Sequence, residues 1–254
     1  MDGDASALES TFLRTKEGLM SKNKCILVIS DTHEPYGHPD NIKFLRAISE
    51  AYPIDRVVHV GDETDKHALS FHDSDSELFS AGNELIEAKK CLQEYYDLFP
   101  VVDVMHSNHG SMVYRKAKAN GIPLPYLKSY ADVLDAPSGW KWHNDLVIKL
   151  PTGQKCYFNH GIGADVKKVS QTMGMSVVQG HYHSIFKIDY WANPNDLFFG
   201  MQVGCSIDDK SRAFAYNKNT AKRPIVGHGL IWNGLPHLLP MILNKKGRWN
   251  GQIP

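Results

Sequence analysis

Short apolar runs that stop abruptly at polar residues recur along the chain. Runs of this length between turn-forming residues are typical of buried β-strands. The strands predicted in this way lie at residues 24–30, 55–60, 101–105, 146–150, 155–159 and 177–179. Apolar residues spaced three or four apart predict helices in the same part of the chain. The predicted helices lie at residues 39–52, 84–99, 112–120 and 165–173.

The alternation of strands and helices indicates an α/β protein. A strand, a helix and a second strand at this spacing form a βαβ unit, in which the two strands are parallel. After residue 185 the pattern is mostly of strands, which we expect at 186–190, 197–203 and 238–243. The segment 123–142 contains Pro, Tyr and Trp without a clear period, so we expect irregular chain that lines or covers a pocket.

At 254 residues the chain is long enough to bury a sizeable core. No internal repeat or linker divides it, so we predict a single domain at 23–254 after an N-terminal arm at 1–22. Hydrophobic residues make up 42% and charged residues 22%, as in ordinary soluble proteins. The four cysteines form no CxxC pair, which favours a reducing compartment. With no secretory leader pattern and no long apolar run, we expect a cytoplasmic protein without membrane contact.

Charge is distributed unevenly, although the formal net charge is zero. The segment 210–254 holds eight Lys and Arg residues and no Asp or Glu. One interpretation is a solvated surface, and the other is a binding surface for phosphate-rich ligands such as nucleic acid. For the second interpretation we expect the contacts to lie within 210–248.

Five of the predicted strands are followed at once by residues of the types that bind metals. These residues are Asp31 and His33, Asp62 and Asp65, Asn108 and His109, His160, and His181 and His183. A single residue of this kind is common in a loop, but five such strand ends indicate a shared site. Open α/β sheets bind ligands at the carboxyl ends of their strands. Buried charges there are costly unless they are paired or bound to metal, so the sequence predicts a metal site.

The motifs at these strand ends resemble those of the calcineurin-like metallophosphoesterases, and the size is closest to small bacterial or phage members. The matching segments are Asp31-Thr32-His33, residues 61–65, residues 107–110, His160-Gly161 and residues 180–183. The resemblance implies a four-layer αββα sandwich, in which two mixed β-sheets pack face to face and helices flank them. It also implies a metal-dependent phosphoric ester hydrolase with two metal ions, in the cytoplasm of a bacterial cell and encoded by the bacterium or its phage.

The resemblance also assigns the ligands. It gives the first metal Asp31, His33 and His183, and the second Asn108, His160 and His181. Asp62 would bridge the two ions, because cations about 3.5–4 Å apart need a shared anionic ligand. Imidazole, carboxylate and amide ligands suit Mn, Fe or Zn better than Ca or Mg, and we favour Mn.

By the same resemblance His109 is the catalytic residue that faces the leaving oxygen, and Asp65 orients a ligand such as His33. The chain departs from the family at two positions, because Ser107 stands where a Gly is usual and Gly110 where an Asp or Glu is usual. The absent carboxylate would orient His109. The candidate replacements are Asp65, Asp103 and His106.

Arg115 and Lys116 are the candidates for contact with a substrate phosphate, and the alternative for them is a solvated helix face. Tyr182 is a further candidate for a substrate contact, and its alternative is a place in the core. The aromatic side chains that could stack on a base are Tyr114, Tyr126 and Tyr130. We expect the remaining histidines at 67, 72 and 228 to lie on the surface or in loops. No particular oligomeric state is indicated.

Three functions follow. The first is hydrolysis of a small phosphomonoester such as a nucleotide. The alternative is a phosphodiesterase or nuclease acting on DNA through the basic residues of 210–248. The third is a non-catalytic interaction protein on the same fold, which the complete set of proposed ligands disfavours.

Overall fold

The computed structural model describes residues 23–70, 77–214 and 221–254. The arm predicted at 1–22 and the histidine at 72 lie outside these ranges. Within them the chain forms eleven strands, which are arranged in two mixed sheets. No helix of the described ranges has both the length and the apolar character that a bilayer crossing needs.

The first sheet has six strands in the order β11-β10-β1-β2-β3-β4. These strands are β1 (Cys25–Ile29), β2 (Arg56–His59), β3 (Val102–Met105), β4 (Trp140–His143), β10 (Gly227–Trp232) and β11 (Leu235–Pro240). Strands β1 to β4 are parallel, and β10 and β11 join as an antiparallel hairpin. The predicted parallel βαβ unit is confirmed by the pairing of β1 with β2.

The second sheet has five strands in the order β5-β6-β7-β9-β8. They are β5 (Leu146–Lys149), β6 (Lys155–Asn159), β7 (Ser176–Gln179), β8 (Phe186–Ala192) and β9 (Leu197–Val203). The three central strands are parallel, and the edge strands β5 and β8 run antiparallel to their neighbours. The predicted hairpin of β5 and β6 is therefore confirmed.

Helices cover the outer faces of both sheets. The helices are α1 (Asn41–Ala51), α2 (Ala81–Leu98), α3 (Met112–Ala119), α4 (Tyr130–Val133) and α5 (Val166–Met173). One apolar cluster joins α1 and α2 to the first sheet, a second fills the space between the sheets, and a third joins α5 to the second sheet. The order helix, sheet, sheet, helix confirms the predicted αββα sandwich.

Strand β1 lies at the centre of this arrangement, and each of its five side chains is fully buried. Leu27 and Ile29 face the helices, whereas Ile26 and Val28 face the second sheet. Parallel strands with both faces covered are continuous apolar runs, which is why this strand was recognisable from the sequence.

The prediction of irregular chain at 123–142 was wrong in part. The segment contains a short 3₁₀ turn at Leu124–Tyr126, the four-residue helix α4 and the four-residue strand β4. Elements of four residues are too short to reveal a period. Strand β10 was also missed, and β11 begins three residues before its predicted start at 238.

Candidate metal centre

The proposed ligands come together at one edge of the fold, between the two sheets. Loops that follow β1, β2 and β3 meet loops that follow β6 and β7. The His33 amide donates to the Asp62 carbonyl at 2.8 Å, and the Gly180 amide donates to the His160 carbonyl at 2.8 Å. The parallel strands therefore deliver their carboxyl ends to a common point, as the pattern of the sequence indicated.

The first group consists of Asp31, His33 and His183. Nε2 of His183 lies 3.3 Å from Asp31 Oδ2 and 3.2 Å from His33 Nε2. Asp31 is fully buried, and its Oδ2 accepts the His181 amide at 2.6 Å, whereas its Oδ1 has no hydrogen-bond partner among the described residues. A buried carboxylate oxygen without a partner is costly, and a cation would satisfy it.

The second group consists of Asn108, His160 and His181, with Asp62 beside them. Nε2 of His160 lies 2.6 Å from Asn108 Oδ1, 3.1 Å from Asp62 Oδ2 and 3.1 Å from His181 Nδ1. The same Asp62 Oδ2 lies 3.6 Å from His33 Nε2 in the first group. Asp62 therefore stands between the two groups, where a bridging ligand is needed.

The spacing of these donor atoms fits shared cations. Donors bound to one metal at about 2.0–2.2 Å are separated by roughly 2.8–3.6 Å in octahedral or tetrahedral geometry. The separation of 3.2 Å between the facing nitrogens of His33 and His183 lies in this range. Two imidazoles that face each other without a cation would gain little, so the residues present fit divalent metals.

Outer contacts fix which ring nitrogen faces the site. Nδ1 of His33 bonds Asp65 Oδ1 at 2.6 Å, and Nδ1 of His160 bonds the Val60 carbonyl at 2.9 Å. Each Nδ1 therefore carries the proton and leaves Nε2 available for a metal, which is the usual arrangement for a histidine ligand. The Asp65 carboxylate therefore contacts the His33 ring directly.

The loops hold strained backbone at the proposed ligands. His33, Asp62 and His181 have φ angles of 51°, 53° and 71°, in the left-handed region. Such conformations cost about 1–3 kcal/mol each and cluster at functional sites. At Gly180 a Cβ would collide with Asp31 Oδ1, so glycine allows the close approach of the two loops.

The pKa values reflect burial and mutual attraction. Burial lowers the pKa of His33 and of His181. Burial also opposes the charged form of His160, but the Asp62 charge, its hydrogen bond and Asp31 outweigh it and raise the pKa to about 9. Burial likewise opposes ionisation of Asp62, yet the charges of His160 and His109 hold its pKa well below the ordinary value.

His109 lies beside the site without the carboxylate of the family pattern. Its ring Nδ1 donates to the backbone carbonyl of Asp65, and its amide donates to Asp62 Oδ1 at 3.1 Å. The nearest carboxylate oxygen of Asp65 is 3.8 Å from Nδ1. Asp103 instead bonds Arg56 and His143. Of these two candidates, Asp65 is the one that contacts His109, and it does so with its main chain.

The two departures from the family pattern are physically linked. The Ser107 hydroxyl accepts the Gly110 amide at 3.0 Å. A Cβ at position 110 would lie 3.0 Å from that hydroxyl oxygen and 3.5 Å from the Tyr130 ring. The serine and Tyr130 thus occupy the space in which the side chain of an Asp or Glu would begin.

The expected substrate residues have different surroundings. The Arg115 guanidinium donates to the Asn108 carbonyl at 2.8 Å, and the half-buried Tyr182 places its ring 4.8 Å from that of His181. Tyr126 is 82% exposed. Tyr130 is buried and bonded through its hydroxyl, so the expectation that it stacks on a base was wrong.

Other expectations about charged and polar residues also change. His228 is fully buried, where its Nε2 bonds Asn41 Oδ1 at 2.8 Å, so the expectation of a surface or loop position was wrong. In the basic segment, Arg248 forms an ion pair with Asp40. Arg212 forms an ion pair with Glu77. Within the described part of the chain these two basic side chains are therefore held by acidic partners, and Lys210 Nζ donates to the Lys246 carbonyl at 2.7 Å.

Sequence reasoning missed one further residue beside the site. Lys66 is only 9% exposed, and burial lowers its pKa to about 8. Its position directly after Asp65 in the matched motif was the available signal.

The layer order and the strand pairing form the αββα sandwich that the resemblance to the calcineurin-like metallophosphoesterases implies, with metal-binding residue types at the strand ends. Several solved structures are similar to the chain at low identity. Vacuolar Protein Sorting 29 from Cryptosporidium parvum is 13% identical, with a TM-score of 0.45 over 92% of this chain and 96% of its own. A phosphoesterase from E. coli, YfcE, is 10% identical, with a TM-score of 0.46 over 89% and 96%.

The NAD nucleotidase NadN from Haemophilus influenzae is 12% identical, with a TM-score of 0.37, and the match covers 89% of this chain and 52% of the nucleotidase. No family model and no curated protein sequence matches the chain. Identity at this level does not transfer an activity.

Proposed function

We propose that the protein hydrolyses phosphate esters with two divalent metal ions, and that its substrate is a small phosphomonoester such as a nucleotide. The observation that supports this most is the place of Asp62. Its Oδ2 lies 3.6 Å from His33 Nε2 and 3.1 Å from His160 Nε2, between two sets of donor atoms. A pair of cations about 3.5–4 Å apart requires a carboxylate in such a position.

Asp31, His33 and His183 would hold one ion, and Asn108, His160 and His181 the other. Bound ions of this kind neutralise phosphoryl oxygens and lower the pKa of a water molecule. The donor set, of imidazole, carboxylate and amide groups, favours Mn, Fe or Zn, and we propose Mn.

His109 would give a proton to the leaving oxygen. Its Nδ1 is held by the Asp65 carbonyl, so Nε2 is the atom left to exchange a proton with a substrate. Its side chain is 22% exposed, so solvent can reach it. General acid catalysis of this type contributes about 10²–10⁴-fold to turnover.

The test is a metal analysis of the purified protein, followed by assays with Mn²⁺, Fe²⁺ or Zn²⁺ on a panel of mononucleotides. We expect two ions per chain and release of phosphate. Asp62→Asn should abolish turnover and remove at least one ion, because the neutral amide cannot bridge two cations. The matched control is Asp97→Asn on an exposed helix face. Full metal content and normal turnover in Asp62→Asn would refute the assignment.

A nuclease is the second candidate, and one observation favours it. Residues 107–130, which follow β3 beside the site, contain four basic residues and no acidic ones. The same segment carries the exposed ring of Tyr126. Basic side chains beside an exposed aromatic ring suit single-stranded nucleic acid. Cleavage of single-stranded DNA at a rate above that of every mononucleotide would select this alternative.

A further inference from the structure

Lys66 is a buried cation that the hydrolytic mechanism above does not use. Its Nζ donates to the carbonyl of His109 at 2.8 Å and to the hydroxyl of Tyr130 at 2.7 Å. Glu63 is 1% exposed, and its Oε2 has no hydrogen-bond partner in the described part of the chain. Its carboxylate supplies the largest opposite charge near the ammonium. A lysine is rarely buried unless a specific contact uses its charge.

The main chain at Lys66 contacts the same histidine from another side. Lys66 has a φ of 57°, in the left-handed region that a lysine seldom adopts. The preceding carbonyl, that of Asp65, accepts the ring Nδ1–H of His109. The dipeptide Asp65-Lys66 therefore holds His109 at both its ring and its carbonyl.

Tyr130 supports the contact between Lys66 and His109. It lies beside Gly110, the position at which the family usually has an Asp or Glu. Its ring lies against Gly110, and its hydroxyl bonds both Lys66 Nζ and the hydroxyl of Thr64. Tyr130 is 7% exposed, so these contacts are shielded from water. Hydrogen bonds to a charged group are stronger in such a buried setting than in water.

We propose that Lys66, supported by Tyr130, is a positioning residue for His109 and takes over the task of the carboxylate absent at position 110. This rests on the proposed function, in which His109 protonates the leaving oxygen. Lys66 acts through the His109 main chain and need not contact the substrate.

The experiment compares two substrates that differ in leaving group, a nucleoside 5′-monophosphate and 4-nitrophenyl phosphate. The alkoxide of the first needs a proton, whereas the phenoxide of the second leaves readily without one. Lys66→Met removes the ammonium and keeps the length of the side chain. Tyr130→Phe removes only the hydroxyl, and Lys90→Met is the surface control because Lys90 is 65% exposed.

We expect Lys66→Met to lower turnover of the nucleotide by about 10–100-fold, which is the usual effect of losing a hydrogen bond that orients a residue of the site. Turnover of the aryl phosphate should fall much less. Tyr130→Phe should show the same substrate dependence with a smaller loss. In the double variant Lys66→Met with His109→Ala, the loss of turnover should equal that of His109→Ala alone, because both changes act on the same group, the His109 ring. Both ions should remain bound.

A second readout does not depend on activity. In the zinc-loaded protein, ¹⁵N shifts of the His109 ring report which nitrogen carries the proton. We expect Nδ1–H in the wild type and a mixture of tautomers in Lys66→Met. An unchanged tautomer, equal losses on both substrates, or losses that add to those of His109→Ala would overturn the proposal. If the wild type hydrolyses neither substrate, the proposed function fails, and the ¹⁵N shifts still decide whether Lys66 positions His109.

Discussion

The ion pair between Asp40 and Arg248 ties the C-terminal segment to the start of α1, and it predicts an acid-dependent loss of stability. Asp40 Oδ2 accepts Arg248 Nε at 2.6 Å and the Trp249 amide at 3.0 Å, and its Oδ1 accepts Arg248 Nη2. The Asp40 side chain is only 7% exposed. The hydrogen bonds from Arg248 lower the pKa of Asp40 to about 2, against the opposing effect of burial.

The magnitude follows from the pKa. The folded value of about 2 lies nearly two units below the ordinary value of 3.8. Each unit corresponds to about 1.4 kcal/mol, so the whole shift corresponds to about 2.5 kcal/mol. Because the Arg248 side chain is half exposed, solvent screening reduces the stabilisation by the charged form of Asp40 to roughly 2 kcal/mol at neutral pH. Because the folded pKa is the lower one, this stability is present above about pH 4 and is lost as the pH falls from 4 to 2.

The perturbation is Asp40→Asn, which keeps the shape and removes the charge. We expect a free energy of unfolding about 2 kcal/mol lower at pH 7, measured by urea denaturation. The difference from the wild type should shrink as the pH falls towards 2. Asp97→Asn, at an exposed residue that accepts only from Gln93, is the control and should change little. A difference in the free energy of unfolding that stays constant from pH 7 to 2 would refute the electrostatic reasoning. It would indicate that the substitution had removed packing contacts instead.

Three further predictions concern the site and the basic segment. His109→Ala should leave both ions bound and lower turnover by a factor near the lower end of the range of about 10²–10⁴-fold that general acid catalysis contributes. The loss should be larger on a nucleotide than on an aryl phosphate. Loss of an ion would mean that His109 is a ligand. Gly180→Ala should weaken metal binding, measured by calorimetry, because the new Cβ collides with Asp31 Oδ1; unchanged affinity would contradict this. If the basic segment binds DNA, changing Lys245 and Lys246 to Ala should weaken binding and flatten its salt dependence; unchanged DNA affinity would assign these lysines to the solvated surface.

The strands that lead to the site could be predicted because their physical signal is local. Runs such as β1 have an apolar residue at every position. The polar residues Asp31 and His33 that follow mark where the strand leaves the core. The hairpin of β10 and β11 also had a local signal, since Asn233-Gly234 adopts positive φ at both residues of a two-residue turn. This is the strongest short-range hairpin signal, and the prediction overlooked it.

The contacts that sequence reasoning missed are all long-range. His228 is buried because Asn41, 187 residues earlier in the chain, accepts its ring N–H. Lys66 is buried because Tyr130, 64 residues later, accepts from its ammonium. The residues that adjoin His228 and Lys66 in the sequence do not indicate these partners. Only the packing of distant segments therefore identifies the two contacts.

The link between Ser107 and Gly110 fixes an order in which substitutions can accumulate. A side chain added at position 110 meets the Ser107 hydroxyl oxygen at 3.0 Å, and Tyr130 lies on the other side. Gly110→Asp alone therefore requires the Ser107 side chain to shift, whereas Ser107→Gly first would remove that contact. The change at position 110 is thus conditional on the one at position 107, so an evolutionary path from this chain to the common family pattern runs more readily through position 107 before position 110.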